Sequence, residues 1–428
     1  MSKILTNPAG NIKLELRDDR LSAWLTILDK GILTDEQDIL DLIEQAGIKY
    51  GFEEALKYMR KHGMEKEYDT PFPVAMCNRV QGESKLNYFF DLEQAKHFDG
   101  KVSLDELKEL TCIEPGTVLA DYSGNIFERQ GSIYDIYGEM LQDENFDPDA
   151  IGQIRGENVK FDQMKRQFVA ERSGFPSVDE AGRISVIDRV TLTGDFVNLT
   201  EGIRSPVSLQ INGNVELVSI TAAGDVFIDG NLRNSAVYCE GDLQVDGDVL
   251  ACGQPGLEVW GNIRCSTLLS SKVLCRGRIE FERSFLQCET VADGGIFSRE
   301  GALSGGHIES GGDVTLGRLG DPVGITTEIE ITISPFHKAV LMRLTREMIR
   351  LKQDLSGNAA AIMDLSERIK ACEAELDREL NNYLKRPTEE KLRLLVHHAV
   401  FPPVRVRILK HEYEINKNQN HLEIVEKE

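Results

Sequence analysis

Residues 213–249 have the sequence GNVELVSITAAGDVFIDGNLRNSAVYCEGDLQVDGDV, in which a glycine, a small polar residue and an aliphatic residue recur every 17 positions. Two interleaved series share this interval, and similar triplets follow to residue 314 at intervals of 16 to 18. A fixed interval of this size is typical of a solenoid. The glycines that begin these triplets, and that we predict to occupy turns, are Gly213, Gly224, Gly230, Gly241, Gly247, Gly261, Gly277, Gly294 and Gly312.

The segments between these glycines predict strands. VFIDG and LQVDG alternate apolar and polar residues, and a period of two indicates a β-strand, not a helix. A strand and turn repeated every 17 residues predicts a mainly β protein built on a right-handed parallel β-helix. Val226 and Leu243 then occupy equivalent positions, as do Ile228 and Val245. Stacked coils would place each pair about 4.8 Å apart in columns that point inward.

The rest of the chain divides around this solenoid. We predict an N-terminal α+β domain at residues 1–100, a β-rich capping module at 101–190 and coils of the β-helix at 191–334. A helical hairpin or coiled coil follows at 335–387, and returning strands with a tail at 388–428. The two ends of a β-helix expose unpaired backbone groups, so the flanking segments are expected to cap them or to use them for association.

Two interpretations of residues 335–387 remain open. Apolar residues seven apart favour one long helix that dimerises as a coiled coil. They are Leu341, Met348, Leu355, Ile362, Ile369 and Leu376. Gly357, beside Asn358, favours a break and an intrachain hairpin. The hairpin is also favoured by charge, because the first arm is basic and the second is acidic.

Composition limits the function classes. The 428 residues include 71 acidic and 49 basic side chains, a net charge of −22, which argues against nucleic acid or an anionic lipid surface as the main partner. The sequence has no apolar run long enough to span a membrane, and its first residues lack the apolar core of a signal peptide. Eight cysteines without a CxxC pair indicate reduced thiols. We therefore expect a cytoplasmic protein.

Catalytic and metal motifs are not evident. The sequence has no glycine-rich dinucleotide motif that opens a helix, no phosphate-binding P-loop and no GxSxG elbow. Five cysteines recur within the solenoid and could bind zinc if coils brought them together, but small apolar core residues explain them better. They are Cys239, Cys252, Cys265, Cys275 and Cys288. We predict no catalytic, cofactor or metal residues, and the partner-binding residues are unknown from sequence.

Several longer segments follow one another in a defined order along the chain. They include LTDEQDILDLIEQAGIKYGFEEAL at 33–56, PVAMCNRVQGESKLNYFFD at 73–91 and GGIFSREGALSGGHIESGGDVTLGRLGDPVGITTEIEI at 294–331. PGTVLA, DIYG and GENV lie between them, and the heptad region and VFPPVRVRI follow. This ordered set resembles the flagellar assembly protein A (FapA) family, and the resemblance covers nearly the whole chain.

This resemblance implies a non-enzymatic scaffold that supports polar flagellar assembly from the cytoplasm, at the flagellated pole of a bacterial cell. It also implies two protein partners, a polar landmark protein and the glucose-specific phosphocarrier of the sugar phosphotransferase system. Two alternatives stay open: a self-assembling cytoskeletal β-helix like the bactofilins, and a carbohydrate-active β-helix enzyme. The sequence leaves the oligomeric state undecided, since the helices or a solenoid edge could join two copies.

Overall fold

The structure is a computed structural model. It describes residues 3–427 except 19, 29–34, 50, 54–55, 58–59, 61–70, 77–84, 97, 124–134, 140–147, 354–358 and 388–389. The sequence FEEALKYMRKHG at 52–63 predicts a second N-terminal helix that ends at Gly63, and that end lies outside the described residues. The described helices are α1 Glu36–Ala46, α2 Leu92–Ala95, α3 Leu104–Glu109, α4 Pro148–Ile154, α5 Pro335–Gln353 and α6 Ala359–Lys385. None of the helices in these ranges is long and apolar enough to cross a membrane.

The chain forms two compact units, each assembled from two stretches of sequence. The first contains residues 1–92 and 118–169, and the second contains 93–117 and 170–428. The boundary predicted near residue 100 did not anticipate this interleaving, because local patterns do not show which distant segments pack together.

The first unit contains two four-stranded sheets. Strands β1 Lys3–Thr6, β2 Ile12–Leu16, β3 Ser22–Ile27 and β4 Phe72–Met76 form one antiparallel sheet. The other sheet, in the order β5-β6-β8-β7, contains β5 Lys85–Tyr88, β6 Val118–Ser123, β7 Val159–Asp162 and β8 Gln167–Ala170. Helix α1 packs its apolar face, including Ile39 and Leu42, into the core of this unit. It ends at Gly47, whose φ of 77° suits the left-handed C-cap.

The second unit contains the solenoid. The hairpin β9 Phe175–Val178 and β10 Ile184–Ile187 precedes it. The strands of the 22-stranded sheet are β11 Arg189–Thr193, β12 Phe196–Val197, β13 Ile203–Ser205, β14 Ser208–Asn212, β15 Val215–Glu216, β16 Ser219–Ala222, β17 Val226–Ile228, β18 Leu232–Arg233, β19 Ala236–Cys239, β20 Leu243–Leu250, β21 Leu257–Val259, β22 Ile263–Leu269, β23 Lys272–Cys275, β24 Ile279–Ala292, β25 Ile296–Phe297, β26 Ala302–Ser310, β27 Val314–Leu319, β28 Thr327–Ile331, β29 Arg393–Val400, β30 Val404–Ile408, β31 His411–Ile415 and β32 Leu422–Val425.

These strands form a three-sided parallel solenoid. Side A begins with β11, side B with β12 and side C with β13, and each strand pairs in parallel with the equivalent strand of the next coil. Longer strands such as β24 bend from one side to the next. Eight coils follow one another from residue 189 to residue 331, and β29 and β30 add a ninth.

The predicted inward columns are confirmed. Val226 pairs with Leu243, and Ile228 with Val245. These residues are at most 1% exposed and belong to one continuous apolar core. Burying apolar surface contributes roughly 25 cal/mol per Å², so this core is the main stabilising feature of the solenoid.

Residues 98–113 cover the beginning of the solenoid. Thr191 in the first coil donates its N–H to the Gly100 carbonyl (2.8 Å), and Val102 donates to the Thr191 carbonyl (3.0 Å). Leu107 of α3 and Phe175 of β9 are buried in the solenoid core. The Ser103 side chain and Glu106 form a capping box that fixes the start of α3. The first coil therefore does not leave its apolar interior open.

The other end is closed by chain that returns after the helices. Strand β29 pairs in parallel with β27, and β30 with β28, so the ninth coil continues the register of the eighth. Strands β31 and β32 then pair antiparallel with β30 and β29. An antiparallel strand ends the parallel stacking, so this end is capped by the chain itself.

Helices α5 and α6 pair within one chain. The Cys372 thiol in α6 donates to the carbonyl of His337 at the start of α5 (3.4 Å), so the helices run antiparallel. Leu344 and Leu365 are buried between them, and the pair packs on Trp260 and Leu274 of the solenoid. This arrangement is the helical hairpin alternative.

The expected charge pairing between the two arms is not found. Within the described parts of α5 and α6, no ion pair joins the two helices. Arg343 of α5 instead contacts Glu258 of the solenoid, and Glu375 of α6 contacts Arg276 (3.1 Å). Both contacts cross to the solenoid, because the helices lie against it.

Candidate interaction site

The turn glycines stack as two columns along the solenoid. Gly247 donates its N–H to the Gly230 carbonyl (3.1 Å), and Gly241 donates to the Gly224 carbonyl (3.2 Å). A Cβ on Gly230 would lie 2.4 Å from the Gly213 carbonyl oxygen, and one on Gly241 would lie 2.1 Å from Asp225 Oδ1. Close approach between coils therefore requires glycine. Of the nine glycines, only Gly213 has a positive φ of the kind expected at turns.

The sequence predicts that an Asn or Asp after each glycine bonds the backbone of its own turn, but in the structure these side chains bond the next coil. The backbone N–H of Asn231 donates to Asn214 Oδ1 (3.0 Å), and that of Asp248 donates to Asn231 Oδ1 (2.9 Å). A second ladder joins Asp225 to Asp242 (2.8 Å). These ladders fix the coil spacing, and they occupy the polar atoms that a ligand would need.

The solenoid cysteines are core residues. All five thiols are buried, and in the described residues no group of three or more His, Cys, Asp or Glu side chains is arranged to hold a metal ion. Burial raises the pKa of the Cys239 thiol to about 12, and does the same for Cys265 and Cys288. A thiol in this state is a poor nucleophile and metal ligand.

A groove lies between α5 and side C of the solenoid. It has a volume of about 610 Å³ and extends from the second coil to the seventh. Five coil spacings of ~4.8 Å make it roughly 24 Å long. Side C contributes Tyr238, Glu258 and Lys272, and α5 contributes Met342 and Arg346.

An ion pair between Arg343 and Glu258 joins α5 to side C at this groove. The Arg343 guanidinium donates through both Nη atoms to the two carboxylate oxygens of Glu258, with Nη2–Oε1 at 2.8 Å. The hydrogen bond to Glu258 raises the pKa of Arg343. Bidentate pairs of this kind are geometrically specific, so α5 is held at a defined position over the fourth coil.

Both signs of charge line the groove. Lys272 and Arg346 are exposed cations for which no ion pair is found in the described structure. Farther along side C, His307 Nε2 lies 3.4 Å from Glu309 and its Nδ1 lies 3.5 Å from Glu328. On side C the two signs alternate, since Lys272 is the register partner of Glu289, whereas Arg346 on α5 is a cation.

Comparison with family models decides the relationship of this chain to known proteins. The model of the Flagellar Assembly Protein A beta solenoid domain matches residues 197–428, and that of the Flagellar Assembly Protein A N-terminal region matches residues 12–181. The chain belongs to the FapA family. Searches of curated proteins and of solved structures gave no match.

The FapA solenoid match includes more than the repeated coils. Residues 197–428 contain α5, α6 and the returning strands, so the helical pair and the groove lie within the family domain. Sequence reasoning missed the groove because its walls are separated by about a hundred residues. The basic composition of α5 was the one available indication of a binding surface.

A second polar cluster holds α5 at its beginning. Asp293 Oδ1 accepts from the Phe336 N–H (2.8 Å) and so caps the helix, and Asp293 Oδ2 lies 3.1 Å from His337 Nδ1. Ser334 Oγ lies 2.9 Å from the same His337 nitrogen. Serine and aspartate meet one ring nitrogen, whereas a catalytic triad needs them on opposite nitrogens. This cluster therefore orients the helix in the FapA domain.

Proposed function

We propose that this protein is a non-enzymatic scaffold that supports polar flagellar assembly by binding protein partners. Membership of the FapA family supports the connection with flagella. The observation that carries the scaffold role is the groove between α5 and side C, which is long, open and lined by both apolar and charged side chains. We further propose that it acts in the cytoplasm at the flagellated pole, with a polar landmark protein and the phosphotransferase glucose carrier as partners.

The chemistry of the groove favours binding over catalysis. Glu258 is engaged by Arg343, and His307 lies between Glu309 and Glu328. A glycosidase needs a pair of carboxyl groups facing one bond, one as acid and the other as base or nucleophile. The carboxylates named here are paired with cations or histidine, which supports the scaffold over the carbohydrate-active enzyme.

The capped ends argue against the alternative of a self-assembling filament. End-to-end growth of a solenoid requires open parallel edges, but residues 100–102 pair with the first coil and β31 and β32 follow the ninth. We expect the purified protein to form no filaments in electron micrographs. Regular filaments would favour the cytoskeletal alternative.

The proposed role is tested by deleting the gene in its host and measuring swimming and the number of flagella per cell. We expect fewer or misplaced flagella, and restoration by the intact gene on a plasmid. Normal motility and normal flagellar number in the deletion strain would contradict the proposal.

A further inference from the structure

Helix α5 differs in charge from the rest of the chain. The protein has a net charge of −22, but residues 335–353 contain five basic residues, Lys338, Arg343, Arg346, Arg350 and Lys352, and one acidic residue, Glu347. Among the described contacts of α5, only Arg343 has its charge balanced by the solenoid, through Glu258. Lys338 reaches the Thr332 hydroxyl at 3.5 Å, and in the described structure the other three form no ion pair.

The outward face of this helix also exposes large apolar side chains. Met342 is 55% exposed and Ile349 is 52% exposed. They lie seven residues apart, and with Lys338 and Arg346 they form one face, since residues at intervals of four, four and three share a side of a helix. We call these four residues the outer α5 face. It lies opposite the buried stripe that contains Val340 and Leu344.

The outer α5 face is continuous with the groove. Met342 and Arg346 belong to both, and Arg346 Nη2 lies 3.2 Å from Met342 Sδ. Tyr238 and Lys272 stand on the opposite wall. A ligand that contacts α5 can therefore also contact the cation of Lys272 and the aromatic ring of Tyr238 on the solenoid.

We propose that the outer α5 face and the adjoining groove bind an acidic amphipathic helix of a partner protein. Charge complementarity carries this inference: carboxylates meet Lys338, Arg346 and Lys272, while apolar side chains cover Met342 and Ile349. A helix of about 16 residues is ~24 Å long, which is enough to cover the roughly 17 Å from Lys338 to Ile349 along α5. The inference rests on the proposed scaffold function and assigns it a surface and a class of partner.

A protein segment fits better than a membrane surface. Basic amphipathic helices also bind anionic lipid, but they do so with the attraction of a positively charged surface around them. Here the surrounding protein has a net charge of −22, and acidic side chains such as Glu289 and Glu309 line the same groove. These charges repel an extended anionic surface, whereas a single acidic helix can lie along the outer α5 face, away from Glu289 and Glu309.

The test uses the full-length protein and a fluorescent synthetic peptide of about 16 residues with leucines on one face and glutamates on the other. We expect saturable binding by fluorescence anisotropy that weakens as salt is raised, because exposed charge pairs are screened. The double variant Met342→Glu, Arg346→Glu should bind at least tenfold more weakly. Met164→Glu, at a methionine that is 96% exposed in the first unit, is the matched control and should bind as wild type. Circular dichroism should show equal melting temperatures for all three proteins.

Four outcomes would overturn the inference. The first is no binding of the glutamate peptide, and the second is equal binding of a lysine version of that peptide. The third is binding to vesicles of equal parts phosphatidylglycerol and phosphatidylcholine in preference to the peptide. The fourth is a dimer in sedimentation experiments that the double variant abolishes, since a second copy would then occupy the face.

Motility separates this inference from the function on which it rests. If the deletion strain has a flagellar defect and the double variant restores swimming fully, the partner surface is wrong but the scaffold role stands. If the deletion strain swims normally, the proposed function itself fails, whatever the peptide binds.

Discussion

The first eight coils and the ninth coil reach the same arrangement by different routes. Each of the first eight follows the previous coil directly, whereas the ninth arrives after the helical pair. Their backbone register is nevertheless equivalent: Val226 stacks on Leu243 and Leu316 stacks on Val396. Register in this solenoid is therefore determined by the inward columns and the main-chain ladder, and does not require a continuous chain.

The contacts beside the ladder differ between the two regions. Consecutive coils use Asn or Asp side chains that accept backbone N–H groups, as Asn231 does from Asp248. The ninth coil keeps one such bond, from Arg393 N–H to Asp313 (3.1 Å), beside ion pairs such as Arg405–Glu328 (3.2 Å); ion pairs such as Arg264–Glu280 (2.7 Å) also join earlier coils. Exposed ion pairs contribute little, about 0.2–1 kcal/mol each. The returning coil should accordingly be the less stable region.

Replacing an inward residue by aspartate should give the largest effect. Ile228→Asp places an unpaired charge in a column between two coils, and we expect a loss of more than about 3 kcal/mol in the free energy of unfolding. Ile408→Asp makes the same change in the ninth coil, where one neighbouring coil is involved, so the effect should be smaller. Thermal unfolding followed by circular dichroism measures both. Equal losses would show that the two regions are one cooperative structure.

Adding a methyl group to a stacked glycine should have the next largest effect. Gly241→Ala brings a Cβ to 2.1 Å from Asp225 Oδ1 and 2.8 Å from the Asp225 nitrogen. We expect a loss of about 1–3 kcal/mol, as for overpacking. Gly253→Ala is the control, because its Cβ would meet nothing within 4 Å. Urea denaturation of the two variants gives the difference, and similar midpoints would contradict the close-approach explanation.

The link from the tail to the end of α6 should give an intermediate effect. Glu426 accepts hydrogen bonds from Tyr383, Arg386 and the Leu392 N–H. Burial alone would raise the pKa of Glu426, but the bonds from Tyr383 and Arg386 more than offset it and the pKa is lowered. We expect Glu426→Gln to lose about 1.5 kcal/mol near pH 7, within the range for charged hydrogen bonds.

The stability difference between wild type and Glu426→Gln should depend on pH. Because the folded pKa of Glu426 is below its ordinary value of 4.5, the stabilisation is complete above that value and is lost as pH falls through the folded pKa. Urea midpoints of wild type and Glu426→Gln measured between pH 7 and pH 3 should therefore converge as the solution becomes acidic. A difference that stays constant over this range would rule out a carboxylate link.

Two alanine variants should give the smallest effects. They distinguish the hydrogen bonds that Asn and Asp side chains accept between coils from the exposed ion pairs. Asn231→Ala removes the acceptor for the Asp248 N–H, and we expect a loss of about 1 kcal/mol. Arg405→Ala removes an exposed ion pair with Glu328 and should cost less, about 0.5 kcal/mol. Only the second loss should shrink at high salt, as shown by melting temperatures at two salt concentrations. A larger loss of stability in Arg405→Ala than in Asn231→Ala would refute the proposed difference between the two regions.

The sequence predicted the repeated coils but not what surrounds them. The columns through Val226 and Ile228 follow from a 17-residue period, which is a local property of the chain. The return of residues 393–408 onto the eighth coil depends on where the helices direct the chain. The partner of Arg343 shows the same limit, because Glu258 lies 85 residues away and no local pattern links the two.

The position of the helical pair within the solenoid has a consequence for biosynthesis. A ribosome that has just completed the eighth coil has produced a rod whose growing edge, β27 and β28, still offers unpaired N–H and C=O groups. Those groups are satisfied only after translation has continued through α5 and α6 to residue 408. Every nascent chain therefore passes through a period in which a second nascent chain from the same messenger could pair at that edge.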